Sequence, residues 1–250
     1  MSADVLPQVI VIGAMKCATS AVHEYLDAHP DISMSSTKEL NFFNGPEVPP
    51  HDDEHRWWVT GQWHRGVDWY QEQFDPRASV RGESSPAYTS PDHPDVPARM
   101  ATVVPRVRLV YLVRDPVERA VSQWSHHRRD GSEERPVEEA LLDPESQYLA
   151  RSRYHERVAH FLSRFQADQL LVVVQERLLR RRNPELARIY QHVGVEMHRP
   201  EERHTGQIRV GSERPGADPG LRSRFMERVG DDVVQLRALV GDDLEEWRSA

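Results

Sequence analysis

The chain opens with a short run of β-branched residues that ends in a glycine and leads into a helix. Residues 9–12 read VIVI, a continuous apolar run typical of a strand buried on both faces of a parallel sheet, and Gly13 follows directly. From Ala18 to His29 apolar residues recur at helical spacing, and Pro30 ends the segment. This strand–loop–helix order is the feature that most constrains the fold, because it predicts a parallel sheet joined by crossover helices.

The alternation of strand and helix continues along the chain. Three further apolar runs predict strands, at 80–83, 108–113 and 170–174. Helical periodicity predicts helices at 117–128, 147–165 and 184–192, and two helices between 221 and 247 that are broken near Gly230 or Gly241. We therefore expect one α/β domain over residues 1–250, with a central parallel sheet flanked by helices on both faces.

Residues 44–78 interrupt this alternation. They are rich in Pro, His and Asp, show little periodicity and carry four tryptophans, Trp57, Trp58, Trp63 and Trp69. Two interpretations remain open. The segment lines the binding site of a substrate, or it is a surface loop pinned by its aromatic side chains.

The overall composition disfavours some classes of function. A formal net charge of −8 over 250 residues argues against a general nucleic-acid binder. The single cysteine, Cys17, allows no internal disulfide, which fits a reducing compartment. The sequence has no basic leader and no run of roughly 20 apolar residues. We therefore expect a cytoplasmic protein, monomeric or homodimeric, that does not enter a membrane.

The loop between the first strand and the first helix is a candidate anion site formed by Gly13, Ala14, Met15, Lys16, Cys17, Ala18, Thr19 and Ser20. A strand that ends in glycine and turns into a helix presents main-chain N–H groups and the positive end of the helix dipole. Lys16 adds a cation, and Thr19 and Ser20 add hydroxyls that either cap the helix or bind the anion. The loop favours a phosphate or sulfate ligand, with an ordinary strand–helix turn as the alternative.

A nucleoside triphosphatase or kinase loop is a weaker match to the same residues. Such a loop reads G-x-x-x-x-G-K-[S/T], with a glycine directly before the lysine. In this chain Lys16 follows Gly13 by three residues, and the loop has no second glycine. The kinase interpretation is disfavoured but stays open.

The strand predicted at 108–113 leads into a second candidate anion site. Arg114 ends that strand, and Ser122 follows eight residues later in the predicted helix. An arginine can bind a phosphate through two N–H groups, and a hydroxyl can complete the site. Pairing of Arg114 with Asp115 or Glu118 is the alternative. Asp115 as a magnesium ligand is disfavoured, because an adjacent arginine suits an anion better than a cation.

A third motif, KELNFF, covers residues 38–43. Its chemistry alone favours an exposed pair of Lys38 and Glu39 at the start of a helix. A general base at Glu39 would need a raised pKa or a close contact, and desolvation by Phe42 and Phe43 could raise that pKa.

Together, VIVIGAMKCATSAVHEYLDAHPDI and STKELNFF resemble the start of the sulfotransferases that use 3′-phosphoadenosine 5′-phosphosulfate (PAPS). The similarity is to the branch of the heparan sulfate sulfotransferases and their bacterial relatives. It implies a P-loop fold like that of nucleotide kinases, PAPS as donor and adenosine 3′,5′-bisphosphate (PAP) as product. It also implies that residues 13–20 bind the 5′ end of the donor, with Thr19 and Ser20 at the 5′-phosphate. Lys16 would stabilise charge on the oxygen between phosphorus and sulfur.

The resemblance includes the two other motifs. RLVYLVRDPVERAVS matches the family pattern in which Arg114 and Ser122 hold the 3′-phosphate. KELNFF matches the segment that carries the catalytic base of the carbohydrate-directed branch, which implies Glu39 as the base. The same match places three of its neighbours at the acceptor, Lys38, Phe42 and Phe43.

Weaker resemblance continues toward the C-terminus. RGESSPAYTS is similar to a segment near the acceptor and implies contacts from Glu83 and Ser84, although carbohydrate-directed members carry a lysine where Ser84 stands. Residues 211–219 align with a loop that covers the donor, and two basic positions of that loop are not basic in this chain. Arg209 and Arg214 are then the candidate donor contacts.

These matches predict an enzyme that transfers a sulfonyl group in line to a hydroxyl or amine of a small molecule, such as a bacterial secondary metabolite. A lysine, hydroxyls and helix-end N–H groups can neutralise the developing charge. None of the 13 histidines lies at convincing metal-ligand spacing, so no metal is expected. The alternatives are a carbohydrate acceptor, a P-loop kinase and a non-catalytic module that binds PAP.

Overall fold

The computed structural model describes residues 5–48, 61–200 and 218–247. Within these residues one sheet is formed by the strands β1 (Val9–Gly13), β2 (Ile32–Met34), β3 (Val80–Ser84), β4 (Arg108–Val113) and β5 (Leu170–Val174). The strands lie in the order β2-β3-β1-β4-β5, and each neighbouring pair is parallel. The predicted α/β class with a central parallel sheet is confirmed.

Strand β2 is the strand of this sheet that the sequence did not predict. Its three residues, Ile-Ser-Met, are too few to form an apolar run. The strand is held by tertiary contacts, since it pairs with β3 from Ile32 opposite Val80 to Met34 opposite Gly82. The missing side chain at Gly82 makes room for this pairing, because a Cβ there would lie 2.5 Å from the sulfur of Met34.

Helices flank the sheet. Their bounds in chain order are α1 Thr19–Asp27, α2 Gly66–Gln71, α3 Val96–Val103, α4 Pro116–Asp130, α5 Val137–Leu142, α6 Gln147–Ala150, α7 Tyr154–Leu162, α8 Gln175–Arg180, α9 Arg182–Val193 and α10 Pro219–Val240. A 3-10 turn covers Pro86–Thr89, directly after β3. None of these helices combines the length and apolar character needed to cross a membrane.

The single helix expected at 147–165 is wrong. The chain forms two helices, α6 and α7, separated by residues 151–153. Ser152 at this break is fully buried, and its hydroxyl donates to the carbonyl oxygens of Tyr148 and Pro116 at 2.9 and 3.2 Å. The buried contact to Pro116 in α4 accompanies a break that helical periodicity alone does not predict.

In the C-terminal segment the break expected near Gly230 or Gly241 lies at Gly241, and a short 3-10 turn, Glu245–Trp247, follows it. Helix α10 passes through Gly230 without a break and ends at Gly241, which adopts a left-handed φ of 63°. A glycine inside a helix costs about 1 kcal/mol relative to alanine. The buried stripe on α10 offsets that cost, since packing of an amphipathic face contributes most of a helix's stability. The stripe consists of Leu221, Phe225, Val229, Val233 and Leu236.

The direction in which the strand order grows reverses between β1 and β4. These two strands are adjacent, with Val9 opposite Arg108 and Gly13 opposite Tyr111. From β1 the chain continues toward β2 and β3 on one side of the sheet, whereas from β4 it continues toward β5 on the other side. Ligands of open parallel sheets bind at such a reversal, outside the carboxyl ends of the strands.

Candidate active site

The loop at 13–20 and Arg114 lie side by side at this reversal. They follow the carboxyl ends of β1 and β4, and the N–H of Ala14 donates to the carbonyl oxygen of Leu112 at 2.8 Å. The structure therefore brings together the two anion motifs that the sequence separates by about one hundred residues.

The N-terminus of α1 has no side-chain cap. Its N-cap residue is Ala18, which has a left-handed φ of 65° and no side chain that could accept a hydrogen bond. The expected capping by Thr19 or Ser20 is wrong, because both residues lie inside the helix. By contrast, the carboxylate of Asp115 caps α4 and accepts the N–H groups of Val117 and Glu118, each at 3.0 Å. Among the described residues, no N-cap side chain occupies the positive end of α1, which suits the binding of an anion.

Cys17 lies beneath the loop rather than at its surface. Its side chain is fully buried, and its sulfur lies 3.9 Å from the hydroxyl of Tyr154. Burial raises the pKa of the Cys17 thiol to about 12, although the nearby positive charges of Arg119 and Arg114 act in the opposite direction. Cys17 is a neutral packing residue, so any contact with a ligand would come from its main chain.

Arg114 lies just before α4, and Ser122 lies within it. The Arg114 side chain is 10% exposed, and its Nη2 donates to Glu118 Oε2 at 3.0 Å. The alternative pairing considered from the sequence is thus present in the structure. Ser122 is buried two turns further along the helix. Asp115 uses its carboxylate for the helix cap and for Arg222, at 2.5 Å, which does not suit a metal ligand.

Lys38 and Glu39 form an ion pair beside the sheet. They do not start a helix: Glu39 has a φ of 63°, and its N–H donates to the carbonyl oxygen of Ser84 at 2.9 Å. The Glu39 side chain is 46% exposed. The desolvation by Phe42 and Phe43 that the sequence suggested is therefore small, because nearly half of the Glu39 side chain is exposed.

Two histidines that were not predicted from the sequence, His23 and His126, interact electrostatically with Lys16, Lys38 and Glu39. His126 on α4 has a pKa lowered by burial and by the charge of Lys16, against the smaller effect of Glu39. His23 on α1 has a pKa lowered by burial and by Lys38, and Glu39 again acts in the opposite direction. The usable signal was helical spacing, since His23 follows Thr19 by four residues and His126 follows Ser122 by four.

Four residues predicted to contact the acceptor have no exposed side-chain surface: Phe42, Phe43, Glu83 and Ser84. The ring of Phe42 stacks on Tyr70, with centroids 4.1 Å apart. Glu83 accepts hydrogen bonds from Tyr70, from Ser85 at 2.9 Å and from Tyr88 at 2.9 Å. Burial raises the pKa of Glu83 to about 7. The four residues form the interior support of the KELNFF segment, which corrects the expected direct contact.

The tryptophan-rich segment is described only from residue 61 onward. Trp63 lies against Phe42 with centroids 5.4 Å apart, and the guanidinium of Arg99 lies 4.9 Å above its ring. These contacts favour the interpretation of an aromatic-pinned loop for this part. Trp57 and Trp58, and the candidate donor contacts Arg209 and Arg214, lie outside the described residues.

Most of this chain matches one known protein family. A family model described as "Sulfotransferase family" matches residues 7–199. The chain belongs to the sulfotransferase family. The predicted relationship is confirmed. Among the residues described, no group of three or more His, Cys, Asp or Glu side chains is placed to hold a metal ion.

Curated sulfotransferases are similar over part of their length. The bifunctional heparan sulfate N-deacetylase/N-sulfotransferase 2 of Bos taurus is 28% identical over 206 residues, which cover 72% of this chain and 21% of the relative. The membrane-associated sulfotransferase kil1 of Dictyostelium discoideum is 32% identical over 124 residues, covering 48% of this chain and 22% of the relative. The chain thus spans about a fifth of the length of these relatives.

Solved sulfotransferase structures match over nearly the whole chain. A sulfotransferase from Alicyclobacillus acidocaldarius is 29% identical with a TM-score of 0.80, covering 97% of this chain and 98% of that one. Mouse sulfotransferase SULT7A1, solved in complex with PAP, has a TM-score of 0.53 at 15% identity and covers 99% and 88% of the two chains. The second match shows the shared fold only.

Proposed function

We propose that this sulfotransferase-family chain transfers the sulfonyl group of PAPS to a hydroxyl or amine of a small molecule. The observation that carries the proposal is the pairing of an uncapped helix N-terminus with a strand-end arginine at the β1–β4 reversal. Two separate anion sites at one edge suit a donor that carries a phosphosulfate at one end and a 3′-phosphate at the other.

The chain's own groups fit such a donor. The first-turn N–H groups of α1, Lys16 and the hydroxyls of Thr19 and Ser20 would hold the 5′ end. Arg114 and Ser122 would hold the 3′-phosphate. Arg114 is already oriented by Glu118, so binding would either add the phosphate to this pair or replace Glu118.

Lys16 would stabilise the negative charge that develops on the leaving oxygen as the sulfur–oxygen bond breaks and the bond to the acceptor forms. The acceptor gives up one proton in this step. Glu39 is the proposed base, and its exposure allows direct contact with an acceptor. His126 is the second candidate, because the lowered pKa of its imidazole favours the neutral form that can take a proton.

A small-molecule acceptor is proposed because this chain lacks the positive charge that carbohydrate-directed members carry, as a lysine, at the position of the buried Ser84. A carbohydrate amine or hydroxyl is the second candidate, favoured by the 28% identity to a heparan sulfate N-sulfotransferase. Extracts of the producing cells and a panel of amino-sugar oligosaccharides, each incubated with PAPS and enzyme, separate the two classes by the mass of the sulfonated product.

The catalytic assignment is tested with Lys16→Ala. We expect it to lower turnover by about 10²- to 10³-fold or more, as for the loss of a preorganised charge-stabilising group, while circular dichroism stays unchanged. Normal turnover in this variant would refute the assignment. Magnesium-dependent use of ATP without PAPS binding would instead support the kinase alternative. Tight PAP binding without turnover of any acceptor would support the non-catalytic one.

The base is tested with Glu39→Gln and His126→Gln measured in parallel. The variant that removes the base should lose turnover and retain its affinity for PAP. The other variant should lose neither. Full turnover in both variants would show that the base lies elsewhere.

A further inference from the structure

Arg119 is a fully buried arginine of α4, one turn beyond Arg114. Its Nε donates to the hydroxyl of Ser152 at 2.9 Å, its Nη1 to Gln123 Oε1 at 2.6 Å and its Nη2 to the carbonyl oxygen of Tyr148 at 2.6 Å. All three acceptors are uncharged, and none of the described carboxylates forms an ion pair with Arg119.

Other arginines around the site differ in this respect. Arg114 pairs with Glu118 at 3.0 Å, Arg151 with Asp92 at 3.2 Å and Arg222 with Asp115 at 2.5 Å. A buried cation without a counter-charge is costly, because neutral acceptors replace only part of the lost hydration. Within the part of the chain that the structure describes, Arg119 bears this cost without a carboxylate to offset it.

The charge of Arg119 acts on the candidate donor site. Burial raises the pKa of Cys17, and nearby positive charges lower it. The largest of these lowering effects comes from Arg119, and the next largest from Arg114. Arg114 and Arg119 also repel one another, and Arg119 repels Arg151. Arg151 in turn reaches the loop, since its Nη1 lies 3.4 Å from the sulfur of Met15. Positive potential from buried arginines is thus concentrated beneath the loop, where the low dielectric screens it weakly.

We propose that Arg119 is a positioning residue whose charge has no carboxylate partner among the described residues and is balanced by the anionic groups of the donor when it binds between the loop and Arg114. This inference rests on the proposed function, because it requires a bis-phosphorylated nucleotide at this edge of the sheet. Arg119 does not touch the donor in this proposal. It acts by charge and by holding the Tyr148–Ser152 segment against α4.

The sharpest test supplies the missing counter-charge with Gln123→Glu. Gln123 is fully buried and already accepts from Arg119, so the new carboxylate would lie on the guanidinium with little change in shape. The amide of Gln147, which accepts from Gln123 Nε2 at 2.8 Å, can turn its nitrogen toward that carboxylate. We expect the free protein to melt at a higher temperature and PAP to bind about tenfold more weakly, the size expected of one buried charge.

A second pair of variants separates charge from hydrogen bonding. Arg119→Lys keeps the charge, whereas Arg119→Gln keeps a donor and loses the charge. We expect Arg119→Gln to bind PAP at least about tenfold more weakly than Arg119→Lys in titration calorimetry. The control is Arg177→Gln, which removes a guanidinium already paired with Asp242 and Glu246 and should leave the affinity for PAP unchanged.

Equal affinity of Gln123→Glu and the wild-type protein for PAP would overturn the inference, as would equal weakening in Arg119→Lys and Arg119→Gln. Either result would leave the proposed function intact, provided that the wild-type protein binds PAP. Failure of the wild-type protein to bind PAP would instead overturn the proposed function and this inference with it.

Discussion

The hydroxyl of Tyr154 donates a hydrogen bond to the main-chain carbonyl oxygen of Arg114 at 2.8 Å. The same hydroxyl lies 3.9 Å from the sulfur of Cys17. One buried phenol at the start of α7 therefore contacts both the end of β4 and the loop that follows β1. We expect the separation of the two candidate anion sites to depend on this contact.

Tyr154→Phe tests that dependence. The buried carbonyl of Arg114 would lose its donor, so we expect a loss of about 1–3 kcal/mol in the free energy of unfolding, together with weaker PAP binding. Denaturant unfolding and titration calorimetry measure the two effects. Tyr111→Phe is the matched control, because the buried hydroxyl of Tyr111 has no hydrogen-bond partner among the described residues. Equal losses in the two variants would contradict the assigned role of Tyr154.

The ion pair between Arg114 and Glu118 predicts opposite effects for its two members. Arg114→Ala should weaken PAP binding by about 2–5 kcal/mol, as for the loss of a largely desolvated charged contact. Glu118→Gln should leave PAP binding equal or tighter, because a competing carboxylate is removed. Calorimetry at one salt concentration compares the two variants. Unchanged affinity in Arg114→Ala would show that the 3′-phosphate lies elsewhere.

The buried carboxyl of Glu83 should make the free energy of unfolding depend on pH. Burial raises the pKa of its carboxyl from 4.5 to about 7 in the folded protein, so the folded state favours the protonated form. The resulting stabilisation is fully present below about pH 4.5 and is lost as pH rises through about 7, by up to roughly 3 kcal/mol. Glu83→Gln has no carboxyl to ionise.

Unfolding by urea between pH 4.5 and 8 measures this difference. The stability of the wild-type protein relative to Glu83→Gln should fall across the window, because ionisation of the buried carboxyl destabilises only the wild-type protein. Parallel pH profiles of the two proteins would show that Glu83 does not titrate there.

The start of the loop leaves no room for a side chain at Gly13. A Cβ at this position would lie 2.2 Å from the hydroxyl oxygen of Thr89, and the backbone φ is 154°. Gly13→Ala should therefore destabilise the fold by about 1–3 kcal/mol. Adding Thr89→Ala removes the clashing atoms and should restore part of the loss. A double-mutant cycle of unfolding free energies measures the coupling, and strict additivity would argue against the clash.

The strands that were predicted well are continuous apolar runs in the sequence. The strands at 108–113 and 170–174 have the bounds expected from the sequence, because a run of apolar and β-branched residues predicts a strand without reference to its partners. The elements that were missed or misjudged depend on distant partners: β2 on β3, and the break before α7 on Pro116.

The candidate site divides in the same way. The sequence predicts candidate anion sites at the loop 13–20 and at Arg114, because helix-end N–H groups and an arginine after a strand bind anions through their own local chemistry. It misjudged Phe42, Phe43 and Glu83, because the sequence does not show whether an aromatic or acidic residue near a motif contacts a ligand or packs in the interior. Burial in the folded protein decides between the two.

The opening pattern of strand, glycine loop and helix, by itself, determined the parallel sheet and made the first turn a candidate anion site. Only the tertiary structure decided that β4 lies next to β1, which brings Arg114 to that site. It also decided that Arg119 is buried among neutral acceptors, whereas Arg114 and Arg222 find carboxylates. The reason is physical: local chemistry follows from neighbours in sequence, but burial and charge balance follow from neighbours in space.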